Sequence, residues 1–241
     1  SMPKEMLPVV NKPLVQYGVE EAIEAGMTTC AMVTGRGKRA IADHFDISYE
    51  LEHQISGTGK EAYLTSIRSV LDKGIFTMVR QREMKGLGHA ILTGEALIGS
   101  EPFGVLLSDD LCFNKGPGVL TQMVELYKQF RCSIVAIQEV PEDETHKYGV
   151  IGGESLKDGI YRVDTMVEKP EPKDAPSNLA IIGRYILTPK VFELLQQVKP
   201  GAGGEIQLTD GISALLAHEP VFAYRFEGTR YDCGSKIGYL K

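Results

Sequence analysis

A chain of 241 residues is long enough for one sizeable domain, or one domain with a smaller appendage. Its 43% apolar and 24% charged residues suit a folded globular protein. A net charge of −6 argues against a nucleic-acid binder, whose affinity comes from clustered Lys and Arg. No apolar run approaches the roughly 20 residues needed to cross a bilayer, so no membrane partner is expected. The chain opens without a signal peptide, and Cys30, Cys112, Cys132 and Cys233 include no CxxC pair. They read as buried thiols, and the expected compartment is the reducing cytoplasm. No HxxxH or HxH pair is present to suggest a zinc site.

The first element is a helix over Pro13 to Ala25, with proline near its start, apolar spacing through Leu14, Val19 and Ile23, and Gly26 as its stop. Thr28 to Thr34 reads as a buried strand, and Glu61 to Leu71 as a helix in a polar stretch. Strands follow at Ile75 to Arg80 and Phe103 to Leu107, with a helix at His89 to Ile98 between them. An amphipathic helix over Gly118 to Phe130 leads into the strand Ser133 to Glu139. This alternation predicts right-handed crossovers and a Rossmann-like, mostly parallel sheet flanked by helices. After Pro141 the pattern changes to a hairpin: Val150 to Gly153 and Ile160 to Glu168 around Lys157-Asp158-Gly159. A strand at Ala180 to Leu187, helices at Pro189 to Val198 and Glu205 to His218, and a strand at Pro220 to Phe226 complete the series. We read residues 1–241 as a single α/β domain, in which the pattern of about 1–140 gives way over about 141–241 to one that adds a small β appendage.

Four segments carry chemistry. The apolar run Phe103 to Leu107 ends in Ser108-Asp109-Asp110. Carboxylates at the end of a buried parallel strand face the crevice where ligands bind, and hard oxygen ligands suit Mg²⁺; an acidic strand-to-loop turn is the competing reading. Gln81, before Gly86-Leu-Gly-His-Ala, offers a donor and an acceptor where glycines allow a flat base to approach the backbone. Val167-Glu168-Lys169-Pro170 sets a carboxylate beside an ammonium, and Pro3-Lys4-Glu-Met-Leu-Pro8 puts a lysine at the head of a proline-punctuated segment. Singly, each of these also reads as a solvated lysine or a loop proline.

Together and in order, these segments resemble the bacterial-type UTP–glucose-1-phosphate uridylyltransferases (UDP-glucose pyrophosphorylases) of the sugar-nucleotidyltransferase superfamily. The resemblance runs on through Tyr148-Gly149-Val150, Pro176-Ser-Asn178-Leu-Ala, Gly201-Ala-Gly-Gly-Glu205 and Gly228-Thr-Arg-Tyr-Asp232-Cys-Gly-Ser-Lys236, and covers nearly the whole chain. Members of that family open with a strand and a glycine-rich Gly-x-Gly-Thr-Arg loop shortly before the Pro-Lys-Glu-Met-Leu-Pro segment, and continue into a further C-terminal helix. The sequence from Ser1 to Lys241 holds neither.

The resemblance implies a nucleotide-diphospho-sugar transferase fold and attack of glucose 1-phosphate on UTP, giving UDP-glucose and pyrophosphate. It implies Mg²⁺ on Asp109 and Asp232, with Lys4 and Lys169 as catalytic cations for the triphosphate and the sugar phosphate. The resemblance makes about 1–140 the nucleotide-binding half and about 141–241 the sugar-binding half. Gln81 and Gly86 match the uracil-reading pair, Gly149, Glu168 and Asn178 match sugar-binding positions, and Asp110 matches a position that contacts the sugar or backs up the metal site. Arg36 and Glu205 fall in family-like motifs without an assigned role. A homo-oligomer is expected. The competing functions are a relative with another base or sugar, and a catalytically silent regulatory paralogue; the set Lys4, Asp109, Lys169 and Asp232 speaks against the second, because a silent copy has no chemical need of it.

Overall fold

The structure is a computed structural model that describes residues 2–59, 61–235 and 239; Lys236, the last residue of the family-like C-terminal string, lies outside them. In chain order the strands are β1 (Pro8–Val9), β2 (Lys12–Pro13), β3 (Thr29–Thr34), β4 (Ile75–Arg80), β5 (Phe103–Leu106), β6 (Asp110–Phe113), β7 (Ser133–Glu139), β8 (Gly149–Ser155), β9 (Ile160–Glu168), β10 (Leu179–Leu187), β11 (Val221–Arg225) and β12 (Thr229–Asp232). The helices are α1 (Leu14–Glu24), α2 (Arg39–His44), α3 (Tyr49–Ile55), α4 (Glu61–Leu71), α5 (Gly86–Ile98), α6 (Val119–Phe130), α7 (Lys190–Leu195) and α8 (Leu208–Leu215).

The main sheet has the order β5-β10-β7-β11-β9-β8. Strand β10 is buried along its whole length, as a strand covered on both faces must be. Side chains alternate across the sheet plane: Val135, Ile137, Ile181 and Tyr185 pack under α7 and α8, while Ile134, Ala136, Ile182 and Ile186 pack with Leu120 and Met123 of α6. The expected α/β layering holds, but the strand directions are more mixed than the pattern predicts. Pairing is parallel at β3–β4 and β7–β11 and antiparallel at β5–β10, β10–β7, β11–β9 and β8–β9. The cause lies in β10, which follows the β8–β9 hairpin and runs against both of its long neighbours. The hairpin joins the sheet through β9 beside β11, and β8 turns back to pair antiparallel with the start of β10 at Leu179 and Ala180.

Strands β3 and β4 form a separate parallel pair. Between β3 and β5 lies a cavity of about 870 Å³, walled by Thr29 to Thr34 on one side and Phe103 to Leu106 on the other. Among the described residues β3 pairs only with β4 and β5 only with β10, so each strand turns an unpaired edge to this slot. At its mouth stand Lys4, Glu5 and Asp109.

Candidate active site

The apolar run of β5 carries the chain out of the core, and a turn closed by Asp110 N–H donating to Leu107 O (3.3 Å) re-aims it into β6. Strand β6 pairs antiparallel with β12, and the register sets Asp110 opposite Asp232. Cys233 N–H donates to Asp109 O at 2.8 Å and extends this contact by one residue. A β-carbon built on Gly234 would stand 3.0 Å from Asp232 Oδ1 and 3.2 Å from Asp109 Oδ2. The two carboxylates therefore converge on one point, and a side chain at Gly234 would have to displace them by a few tenths of an ångström. Among the described residues no group of three or more His, Cys, Asp or Glu side chains meets in metal-binding fashion. Two hard carboxylates with room for phosphate oxygens fit Mg²⁺, which keeps waters and substrate oxygens as its other ligands; they do not fit zinc, which wants a closed nitrogen and sulfur set.

Lys4 reaches the same place from a short 3₁₀ turn, and its Nζ donates to Asp109 Oδ2 at 2.7 Å. Partial burial works to lower the pKa of this ammonium, but the hydrogen bond to Asp109 and the charges of Asp109, Glu5 and Asp232 outweigh it and raise the value above 10.5. Lys4 is therefore a fixed cation at the carboxylate pair.

A smaller cavity of about 260 Å³ opens beside them, lined by Asp109, Asp232, Gly149, Glu168 and Thr209 among others. Glu168, at the end of β9, has one oxygen engaged: Oε2 accepts from Thr209 Oγ1 at 2.7 Å. Lys169 Nζ lies 3.6 Å from Oε1. Gly149 is Glu168's partner across the β8–β9 ladder, and a β-carbon there would meet Thr209 Oγ1 at 2.8 Å. Lys169 itself has φ 46°, a left-handed conformation that turns its side chain away from the face it would occupy in a regular strand.

Two expected sugar contacts are placed differently. Asp110 is 7% exposed, and both its oxygens are spent: Oδ2 accepts from Gly183 N–H at 2.7 Å, and Oδ1 takes Arg230 Nε at 2.7 Å and Nη2 at 2.6 Å. It braces the cavity floor instead of presenting a free carboxylate. Asn178 is not among the cavity's lining residues; its Nδ2 donates to Val140 O at 3.2 Å and ties the start of β10 to the end of β7.

Arg230, within the Gly228-Thr-Arg-Tyr-Asp232 segment, is a site residue that the sequence alone does not single out. Its guanidinium pairs with Asp110, stands 5.4 Å from the Tyr148 ring centre, and lies 3.9 Å from Asp232 Oδ2. Burial opposes its charge, yet Asp110 raises its pKa further above the ordinary arginine range. The signal available was its period-two spacing from Asp232 on one short strand, which puts both on one face.

At the other loop, Gln81 Nε2 donates to Gly86 O at 3.2 Å and meets His89 Nδ1 at 2.9 Å. A carbonyl only accepts, so the amide's NH₂ must face Gly86, and its carbonyl oxygen, without a partner among the described residues, is left as an acceptor. Glu205 lies where a backbone clasp forms: Ile206 N–H donates to Lys85 O at 2.8 Å, and Gly88 N–H to Ile206 O at 2.8 Å. Ile206, directly after Glu205, thus docks the loop of Gly86 just ahead of α8. Among the described residues Arg36 makes no contact that gives it a role at the site.

The nucleotidyl transferase family model matches residues 1–241. The chain belongs to the nucleotidyl transferase family. The UTP–glucose-1-phosphate uridylyltransferase of Pseudomonas aeruginosa strain PAO1 is 65% identical, with 100% of this chain and 87% of that protein covered. The enzyme of the same name from Bacillus subtilis strain 168 is 49% identical and covered over 82% of its length, against 100% of this chain. A solved UDP-glucose pyrophosphorylase complexed with UDP-glucose superposes with a TM-score of 0.92 at 56% identity, over 100% of this chain and 88% of that one.

Proposed function

We propose that the protein transfers the uridylyl group of UTP to glucose 1-phosphate, giving UDP-glucose and pyrophosphate, with Mg²⁺ held by Asp109 and Asp232. The observation that carries the reading is the convergence of Lys4, Asp109 and Asp232 on one point beside the Glu168 cavity. Relatives of high identity bear the name of this activity. Both substrates are anions, so charge neutralisation and in-line placement are the protein's main tasks. Bound Mg²⁺ supplies charge stabilisation on the phosphate oxygens.

The residues then divide the work. Lys4 neutralises the triphosphate, and Lys169 binds the phosphate of the sugar phosphate. Glu168, with Oε2 held by Thr209, offers Oε1 to a sugar hydroxyl. Gln81, with its NH₂ committed to Gly86 and His89, offers its carbonyl oxygen to the N3–H of uracil, a proton that cytosine lacks. The phosphate oxygen of glucose 1-phosphate attacks the α-phosphorus directly; its bond forms as the bond to the bridging oxygen of pyrophosphate breaks. Glu5 Oε2 is buried at the mouth of the slot between β3 and β5 with no hydrogen-bond partner among the described residues. No helix among the described residues is long and apolar enough to cross a membrane. The four cysteines are free thiols, in keeping with a reducing cytoplasm.

UTP labelled at its α-phosphate tests the reaction. The expected result is label in UDP-glucose and none in pyrophosphate; label in pyrophosphate contradicts the proposed attack.

A further inference from the structure

Behind the Ser108–Asp109 turn sits a charge that the reaction itself does not use. Arg184, on β10, is 1% exposed. A guanidinium has five N–H donors, and all five of these are engaged. Nε faces the two oxygens of Glu21 at 3.1 and 3.0 Å, and Nη2 donates to Glu21 Oε2 and to Asp110 O, both at 2.8 Å. Nη1 donates to Gly183 O at 2.9 Å and to Leu107 O at 3.3 Å. Leu107 and Asp110 bracket Ser108 and Asp109, so one planar group grips the backbone on both sides of the carboxylate that faces Lys4.

The neighbouring residue completes the grip. Gly183 N–H donates to Asp110 Oδ2 at 2.7 Å, and Leu107 N–H donates to Gly183 O at 2.9 Å. The β7–β10 register is irregular between Ile181 and Tyr185, which frees Gly183 and Arg184 from that ladder. Glu21 in turn accepts from Leu120 N–H, in the first turn of α6, at 3.0 Å. Stability alone is a poor reason for such a pair, because a buried ion pair can often be exchanged for apolar residues at no loss. What an apolar pair cannot supply is donors for inward-facing carbonyls of an irregular turn.

We propose that Arg184, charge-balanced by Glu21, is a positioning residue that fixes the Leu107–Asp110 turn and so aims the Asp109 carboxylate. The proposal rests on the reading of Asp109 as a cation-binding group. It extends the site inward to a buried network spanning α1, α6 and β10.

The test is Mn²⁺ binding in the presence of UTP, followed by electron paramagnetic resonance, with melting and steady-state kinetics alongside. In E21M/R184M both charges leave together, so no orphan ion remains. Cooperative melting is expected to persist, while Mn²⁺ affinity and kcat each fall at least about tenfold, the scale on which loss of a group supporting a metal ligand is felt. The KM for glucose 1-phosphate is expected to stay within about twofold, since its binding groups are not moved. Mn²⁺ affinity and kcat both within about twofold of the parent overturn the proposal.

If that variant does not melt cooperatively, G183A decides. Its methyl group would stand 2.6 Å from Asp110 Oδ2 and 2.7 Å from Leu107 Cβ, displacing the turn with the ion pair intact. Weakened Mn²⁺ binding is the expected result, and unchanged binding counts against the proposal. D109N separates the two layers. Unaltered Mn²⁺ affinity in D109N sinks the reading of Asp109 and the positioning role with it; weakened binding in D109N beside normal binding in E21M/R184M sinks the positioning role alone.

Discussion

Asp109 and Lys4 form an exposed ion pair at 2.7 Å, and the proposed reaction gives its two members different work. Removing the carboxylate in Asp109→Ala is expected to cut kcat by at least about a hundredfold, as loss of a preorganised electrostatic group does, with a melting temperature close to the parent's. Near-normal turnover of that variant in Mg²⁺-replenished buffer would remove Asp109 from the metal site. Lys4→Ala is expected to lower kcat, because its charge acts as negative charge shifts, whereas Lys169→Ala raises the KM for glucose 1-phosphate. Identical kinetic profiles for the two variants contradict that division. The raised pKa of Lys4 fixes the sign of its pH dependence. With Asp109 ionised, its pairing is fully present below the ordinary value of 10.5, and on the alkaline side is lost as pH climbs through the higher folded value. No loss of activity between pH 7 and pH 9 should therefore trace to Lys4, and the pH profile of Lys4→Arg, which retains a cation, should match the parent's over that window. Gln81→Ala is expected to erode the preference for UTP over CTP by about ten- to a hundredfold, the cost of an amide partner lost in a formed site; an unchanged ratio assigns Gln81 to the loop alone.

At the scale of elements, the decisive contact joins loops far apart in the chain. Gly88 is glycine because α5 begins against the backbone of Ile206: a β-carbon there would lie 2.7 Å from Ile206 O. Gly88→Ala is expected to cost about 1–3 kcal/mol in denaturant unfolding, the usual penalty for overpacking where backbone cannot give way. A loss below that range would mean the clasp is soft. This clasp also explains why α8 starts at Leu208 when the sequence predicts a helix from Glu205: the backbone of Ile206 is committed to Lys85 and Gly88. Strands β4, β7 and β9 match their sequence-predicted limits, because each is an apolar or alternating run bounded by polar residues or turn formers. Strands β6 and β12 were not legible. Each has four residues, too few to show a period, and their pairing bridges Asp110 and Arg230 across a separation of 120 residues. Yet that pairing brings Asp232 to Asp109. The site's acids could be read as strand-end residues, while their meeting could be inferred only from resemblance. Arg184 left still less trace, since one arginine in an apolar strand gives no sign of the five acceptor atoms, on four residues, that it meets.

At the scale of the whole molecule, the six-stranded sheet and the separate β6–β12 pair together bring the crevice of Lys4, Asp109 and Asp232 beside the cavity of Glu168, Gly149 and Thr209. Burial pushes the Cys112 and Cys132 thiols up to about 11, so iodoacetamide at pH 8 is expected to leave both unmodified in the native protein and to label them after unfolding. Labelling of either thiol under native conditions would show that the cores around them open readily. The central claim, that this architecture serves uridylyl transfer to glucose 1-phosphate, is tested most directly by the full-length protein's rate of pyrophosphate release across a grid of nucleoside triphosphates and sugar 1-phosphates with Mg²⁺. The account expects UTP with glucose 1-phosphate to give the highest kcat/KM in the grid, and any other pair that outpaces it would contradict the account.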